Sequence, residues 1–190
     1  MAVNYAAMTR DICERAMYNV RDELQTLPVE EIRQHQPTLG FAICCVNVLG
    51  DLNIGTMMRS AVLYGADEFF VAGRRRYNRC STVGAQNYVN ITYIDCMRDE
   101  MNVDWSKILD AIRTKGYVPV VCETNGKDVR HYAFPEKPCF IFGNEGLGLP
   151  KAMIDAVDEH ISIRQFGVMR SHNVAVAASI IMHEFTRNIQ

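Results

Sequence analysis

From Phe41 onward, apolar residues come in short, nearly unbroken runs separated by stretches of helical period. Runs at 41–48, 68–72, 91–95, 117–122, 139–142 and 160–163 are candidate strands. Candidate helices fall at about 53–64, 80–87, 104–115, 150–157 and 172–187. Continuous rather than alternating strand runs predict a parallel sheet covered on both faces. The pattern therefore predicts an α/β fold, a mostly parallel sheet with helices on both sides. Ahead of it, residues 4–27 place Tyr5, Met8, Ile12, Ala16, Val20, Leu24 and Leu27 three or four positions apart, as one amphipathic helix. Pro28 opens a shorter helical turn, and Pro37 with Gly40 closes the segment. The expected division is a helical extension at 1–40 and one domain at 41–190.

Three places along this alternation carry candidate chemistry. Residues 139–150, CFIFGNEGLGLP, form a strand that stops at Gly143 in a glycine-rich turn, with Pro150 suited to the first turn of a helix. Turns of this kind are where α/β sheets hold ligands. The spacing fits neither the dinucleotide fingerprint nor the phosphate-cradling P-loop. After the first strand comes NIGTMMRS, in which Asn53 is a candidate helix N-cap and Arg59 lies on the helix that follows. An arginine there is ordinarily a solvated surface residue. The third place, residues 161–184, runs from a strand through a loop to Ser171-His172-Asn173 and a small-residue helix. Ser171 or Asn173 suits an N-cap, and an asparagine can also bind a ligand, since it both donates and accepts.

Composition narrows the picture only a little. A net charge of −2 gives no global pull toward polyanions, so any such contact must be local. Seven cysteines, an odd number with no C-x-x-C pair, mostly sit in apolar runs. They read as reduced structural thiols of a cytoplasmic protein, with no metal site. No run is long enough to span a membrane, and the first residues, with Asp11 and Glu14, do not read as a signal peptide.

Asn53 with Arg59 after the first strand, FGNEGLGL at the fifth, and I-x-I followed by S-x-NVAVAAS resemble, in order, the three motifs of SpoU-type RNA ribose 2′-O-methyltransferases of the SPOUT superfamily. The resemblance covers about residues 41–188 and implies a C-terminal trefoil knot, S-adenosylmethionine as cofactor and a homodimer. By the same resemblance Gly143, Asn144, Glu145 and Gly148 line the cofactor, Ile161 and Ile163 bracket its adenine, and Ser171 and Asn173 complete the pocket. Glu123, Thr124 and Asn125 form a further wall. Arg59 matches the family's catalytic arginine and Asn53 its first-motif asparagine, with Ser171 and Asn173 beside them. A guanidinium, with a pKa above ~12, is a poor general base. Arg59 therefore suits positioning of a phosphate and stabilisation of alkoxide charge. Ser162 stands where the family commonly has proline, and His172 where it has leucine.

The one concentrated basic segment holds Arg74, Arg75, Arg76 and Arg79 around Tyr77, and with Arg59 it forms the expected RNA surface. A compact chain favours an exposed tRNA arm over a folded rRNA target. Two other readings remain. One is a methylation-inactive RNA assembly factor of the same fold. The other is a nicotinamide oxidoreductase, which the glycine spacing at residues 50–55 disfavours.

Overall fold

The computed structural model describes residues 19–99, 102–187 and 189. Six strands form one parallel sheet: β1 (Ala42–Val46), β2 (Glu68–Ala72), β3 (Asn90–Ile94), β4 (Val118–Asp128), β5 (Pro138–Phe142) and β6 (Glu159–Ser162). Their spatial order is β3-β2-β1-β5-β4-β6. The helices are α1 (Val29–Gln34), α2 (Asp51–Leu63), α3 (Arg79–Thr82), α4 (Trp105–Thr114), α5 (Lys151–Ile154) and α6 (Val174–Thr186).

The unbroken apolar strands are explained by two separate cores. Ile43, Cys45, Phe69, Phe140 and Phe142 face α2 and α6, and pack with Met57, Met58, Ala178 and Met182. The alternate residues Ala42, Cys44, Phe70, Cys139 and Ile141 face α4 and α5, and pack with Ile108, Ile112 and Met153. Every residue of β1, β2 and β5 is thus buried on one side or the other, as period-two side chains require, whereas edge strand β3 is not.

Four expectations need correction. Residues 4–18 of the expected N-terminal helix lie outside the described residues, and between 19 and 27 the chain makes only a 3-10 turn at Asp22–Leu24. Pro28 keeps the residue before it extended, which ends helix at that point. The expected helix at 80–87 is divided, because Val83 and Gly84 both adopt left-handed backbone (φ 49° and 88°) between α3 and a 3-10 turn at Ala85–Asn87. Strand β4 runs on to Asp128, with a register shift between Cys122 and Lys127 opposite Ile161. The cysteines are not all reduced: five are free, but Cys80 is disulfide-bonded.

Walking outward from β1, the chain builds β2 and β3 on one side and places β5, β4 and β6 on the other. The connection after β1 enters α2 on one face, and that after β5 enters α5 on the opposite face. The gap between the carboxyl ends of β1 and β5 is therefore the topological switch point, where open α/β sheets bind ligands.

Candidate active site

Gly143 closes the turn that ends β5. A Cβ on it would stand 2.5 Å from the Gly148 carbonyl carbon, so only glycine permits this close approach. Asn144 builds the rest of the turn. Its backbone pairs with that of Gly148 (N–H to O 3.2 Å, and 2.8 Å in return), and its Oδ1 accepts from the N–H groups of Gly146 and Leu147 at 2.7 and 3.1 Å. Its Nδ2 donates to Asn47 O at 3.1 Å, tying the turn to the end of β1. Asn144 is buried, while residues 145–148 are exposed, with no side chain at Gly146 and Gly148. Gly148 has φ +68°, and nothing stands within 4 Å of where its Cβ would be.

Asn53 is not the N-cap of α2. It is the third helical residue, and its side chain joins the other two motifs. Asn173 caps α6 by accepting from Ala175 N–H at 3.0 Å and Val176 N–H at 3.3 Å. The same side chain donates through Nδ2 to Asn53 Oδ1 at 3.1 Å. Asn53 in turn donates through Nδ2 to Glu145 Oε1. One chain of hydrogen bonds thus leads from the amino end of α6 through two amides to a carboxylate. Each amide's orientation is fixed by its neighbours. About two turns further along, Ser60 Oγ and Ser179 Oγ lie 2.9 Å apart, so α2 and α6 are joined by small polar side chains. Arg59 is exposed on α2, in line with Leu52, Thr56 and Leu63. Ser171 and His172 are exposed in the loop before α6.

The fourth-strand wall is a bulge rather than a turn after the strand. Gly126 presses on β6, where a Cβ would come within 2.5 Å of Ile161 main-chain atoms. Glu123 Oε1 lies 3.1 Å from His160 Nδ1, and Thr124 and Asn125 are exposed. Ser162, where a proline was expected by resemblance, donates to Gly126 O at 2.8 Å. It exchanges ring rigidity for a cross-strand bond that a proline cannot make. Ile161 is fully buried in the core beneath the bulge, whereas Ile163 is half-buried at its edge.

The basic segment is divided in its roles. Arg74, Arg75, Arg76 and Arg79 are exposed, but Tyr77 is half-buried against the α2–α6 core. The accessible ring is Tyr93 on edge strand β3, and Arg76 stacks over it at 4.0 Å. No local pattern marks that pairing, because the two are 17 positions apart. Among the described residues no cluster of His, Cys, Asp or Glu is arranged to hold a metal ion, and no helix is long and apolar enough to cross a membrane.

Residues 40–183 match the model of the SpoU rRNA Methylase family. The chain belongs to this family. Among curated SpoU-type relatives, it is 29% identical over 136 residues to a putative TrmH family tRNA/rRNA methyltransferase of Staphylococcus haemolyticus, covering 71% of this chain and 53% of that protein. It is 27% identical over 169 residues to a mouse tRNA (guanosine(18)-2′-O)-methyltransferase, covering 83% of this chain and 10% of that one. The chain thus spans about half the length, or less, of these relatives. Among solved structures, the SpoU methyltransferase AviRb of Streptomyces viridochromogenes in complex with AdoMet superimposes with a TM-score of 0.65 at 26% identity, over 80% of this chain and 58% of that one. The A. aeolicus TrmH/SpoU tRNA modifying enzyme gives a TM-score of 0.69 at 21% identity, over 85% and 84%, a likeness of fold.

Proposed function

We propose that this chain is an S-adenosylmethionine-dependent RNA methyltransferase acting on a ribose 2′-hydroxyl, with tRNA favoured over rRNA. The observation that carries this reading is the Asn173–Asn53–Glu145 chain. It brings the three family motifs to one place at the switch point of the sheet. The mouse relative named as a tRNA methyltransferase supports the choice of substrate.

The residues present fit the cofactor. Residues 145–148 offer an exposed main chain with open space over Gly148, a bed on which a flat purine can lie. Gly143, Asn144, Glu145 and Gly148 would hold it on one side, the Glu123–Asn125 bulge and Ile163 on the other, with Ser171 and Asn173 closing the end. Bound there, S-adenosylmethionine supplies an electrophilic sulfonium methyl. Arg59 holds the phosphate next to the target ribose and stabilises the charge that develops on its 2′-oxygen. The Asn53–Asn173 pair keeps Glu145 and the α6 loop in register. Alignment of hydroxyl and methyl accounts for a large part of the rate, since proximity alone is worth ~7–11 kcal/mol. Arg74, Arg75, Arg76 and Arg79 track the RNA backbone.

Three further features belong to the proposal. The tail forms a trefoil knot, an assignment supported by β5 inserting between β1 and β4 and by the close approach of Gly126 to Ile161. The protein acts as a homodimer through the exposed apolar side chains of α2 and α6. It works in the cytoplasm, a reading that its five free cysteines favour and the disulfide at Cys80 opposes.

Incubation with radiolabelled S-adenosylmethionine and total RNA, followed by nucleoside mapping, tests the reaction. A 2′-O-methylated nucleoside is expected, and Arg59→Ala should lower its formation by about 10²–10³-fold. Label on a base, or none at all with cofactor bound, would overturn the assignment. Replacing Arg74, Arg75 and Arg76 with Ala should weaken RNA binding and flatten its salt dependence while cofactor affinity stays unchanged.

A further inference from the structure

A cavity of about 450 Å³ opens at the switch point, on the side of the β5 turn that faces α4 and α5. It lies across that turn from the Asn173–Asn53–Glu145 chain. Its floor is Val46 and Leu149, and its wall is Trp105, the first residue of α4 and the single tryptophan of the chain. Trp105 is half-buried: it packs on the core and also lines the cavity. At the mouth stand Arg98 and Asp99, presented by a short antiparallel crossing between Met97 and Val103. Arg98 is braced by Asp104 at 3.2 Å. Both Asp99 oxygens accept from Asn102, the backbone N–H at 2.9 Å and Nδ2 at 2.7 Å.

We propose that this cavity seats a nucleobase of the RNA, with Trp105 as the stacking wall and Arg98 and Asp99 reading the base edge. The inference rests on the reading of RNA as substrate. The volume falls in the roughly 300–1,000 Å³ range of small-molecule sites, and the lining combines apolar walls with a few fixed polar groups. A base needs one flat apolar partner and both donors and acceptors at its rim. A guanidinium supplies only donors, and a carboxylate only acceptors. The cavity shares Asn144, Leu147 and Gly148 with the proposed cofactor bed, so a base seated here stays attached to a ribose within reach of the methyl donor.

Because Trp105 is the only tryptophan, its emission reports on this cavity alone. Titration of the full-length protein with each of the four ribonucleoside monophosphates, without methyl donor, should quench it saturably, one base more tightly than the rest. Trp105→Ala should weaken RNA affinity about 10- to 100-fold, and Trp105→Phe should restore most of it. In both variants the affinity for S-adenosylhomocysteine should be unchanged. Unquenched emission at millimolar concentrations of all four would overturn the proposal. Quenching by S-adenosylhomocysteine in competition with the nucleotides would also overturn it, by assigning the cavity to the methyl donor. Quenching by a nucleotide in a protein that methylates no RNA would instead count against the reaction and leave the cavity's assignment standing.

Discussion

At the scale of single residues, Asn173 does two things at once. Its oxygen caps α6 and its nitrogen holds Asn53, so capping and site assembly depend on opposite ends of one amide. The two roles can be separated. Asn173→Asp keeps an acceptor at the amino end of a helix, where negative charge is favourable, and removes the donor to Asn53. The melting temperature should hold or rise slightly while methyl transfer falls at least about tenfold, the loss of one positioned hydrogen bond. Equal loss of stability and activity would show that Asn173 is only a cap. A second residue-scale consequence concerns Cys45, whose thiol burial pushes up from 9.0 to about 12. The folded protein then binds more protons than the unfolded chain between those values. Stability should be fully present below pH ~9 and decline as pH rises toward 12, which denaturant titrations at pH 8 and 10.5 would measure. The native thiol should also resist iodoacetamide at pH 8, since the thiolate is the nucleophile.

Between residues and the whole, the elements show what was legible beforehand. All six strands and their order of appearance could be read from apolar runs, because a sheet buried on both faces leaves that signature directly. The shape of the site could not be read in the same way. Asn53 lies 92 positions from Glu145 and 120 from Asn173, and nothing local marks it as anything but a cap. The bulge in β4 was equally hidden, because TNGK looks like a turn until Ile161 is known to lie opposite it. The glycines there are specific to the fold. A methyl at Gly126 meets main-chain atoms of Ile161, and one at Gly143 meets those of Gly148, neither of which can move aside as a side-chain end could. Either Gly→Ala change should cost on the order of 3 kcal/mol, lowering the melting temperature by ~6–12 °C. Gly167→Ala, where nothing lies within 4 Å, is the control and should leave it unchanged.

For the whole molecule, the open question is what covers α2 and α6. Their inner faces fill one core, yet Leu63 is 75% exposed, Leu52 59% and Val176 49%. Leu52, Thr56, Arg59 and Leu63 form one stripe, so Arg59 lies between two exposed leucines. Exposed leucines on either side of the proposed catalytic arginine are costly to leave in water, and exposed apolar patches mark contact surfaces. A second copy packed across both helices would bury the leucines and bring each Arg59 to the seam between protomers. A stable pair needs about 800 Å² from each partner, an area two adjoining helices of 13 residues can supply. The double change Leu52→Glu, Leu63→Glu places like charges against each other across a two-fold axis and leaves the buried core untouched. It should convert a dimer to a monomer by light scattering, keep the far-ultraviolet circular dichroism of the parent, and remove methyl transfer. A wild-type protein that is monomeric and active at micromolar concentration would show that Arg59 works without a neighbour and that the stripe faces RNA instead.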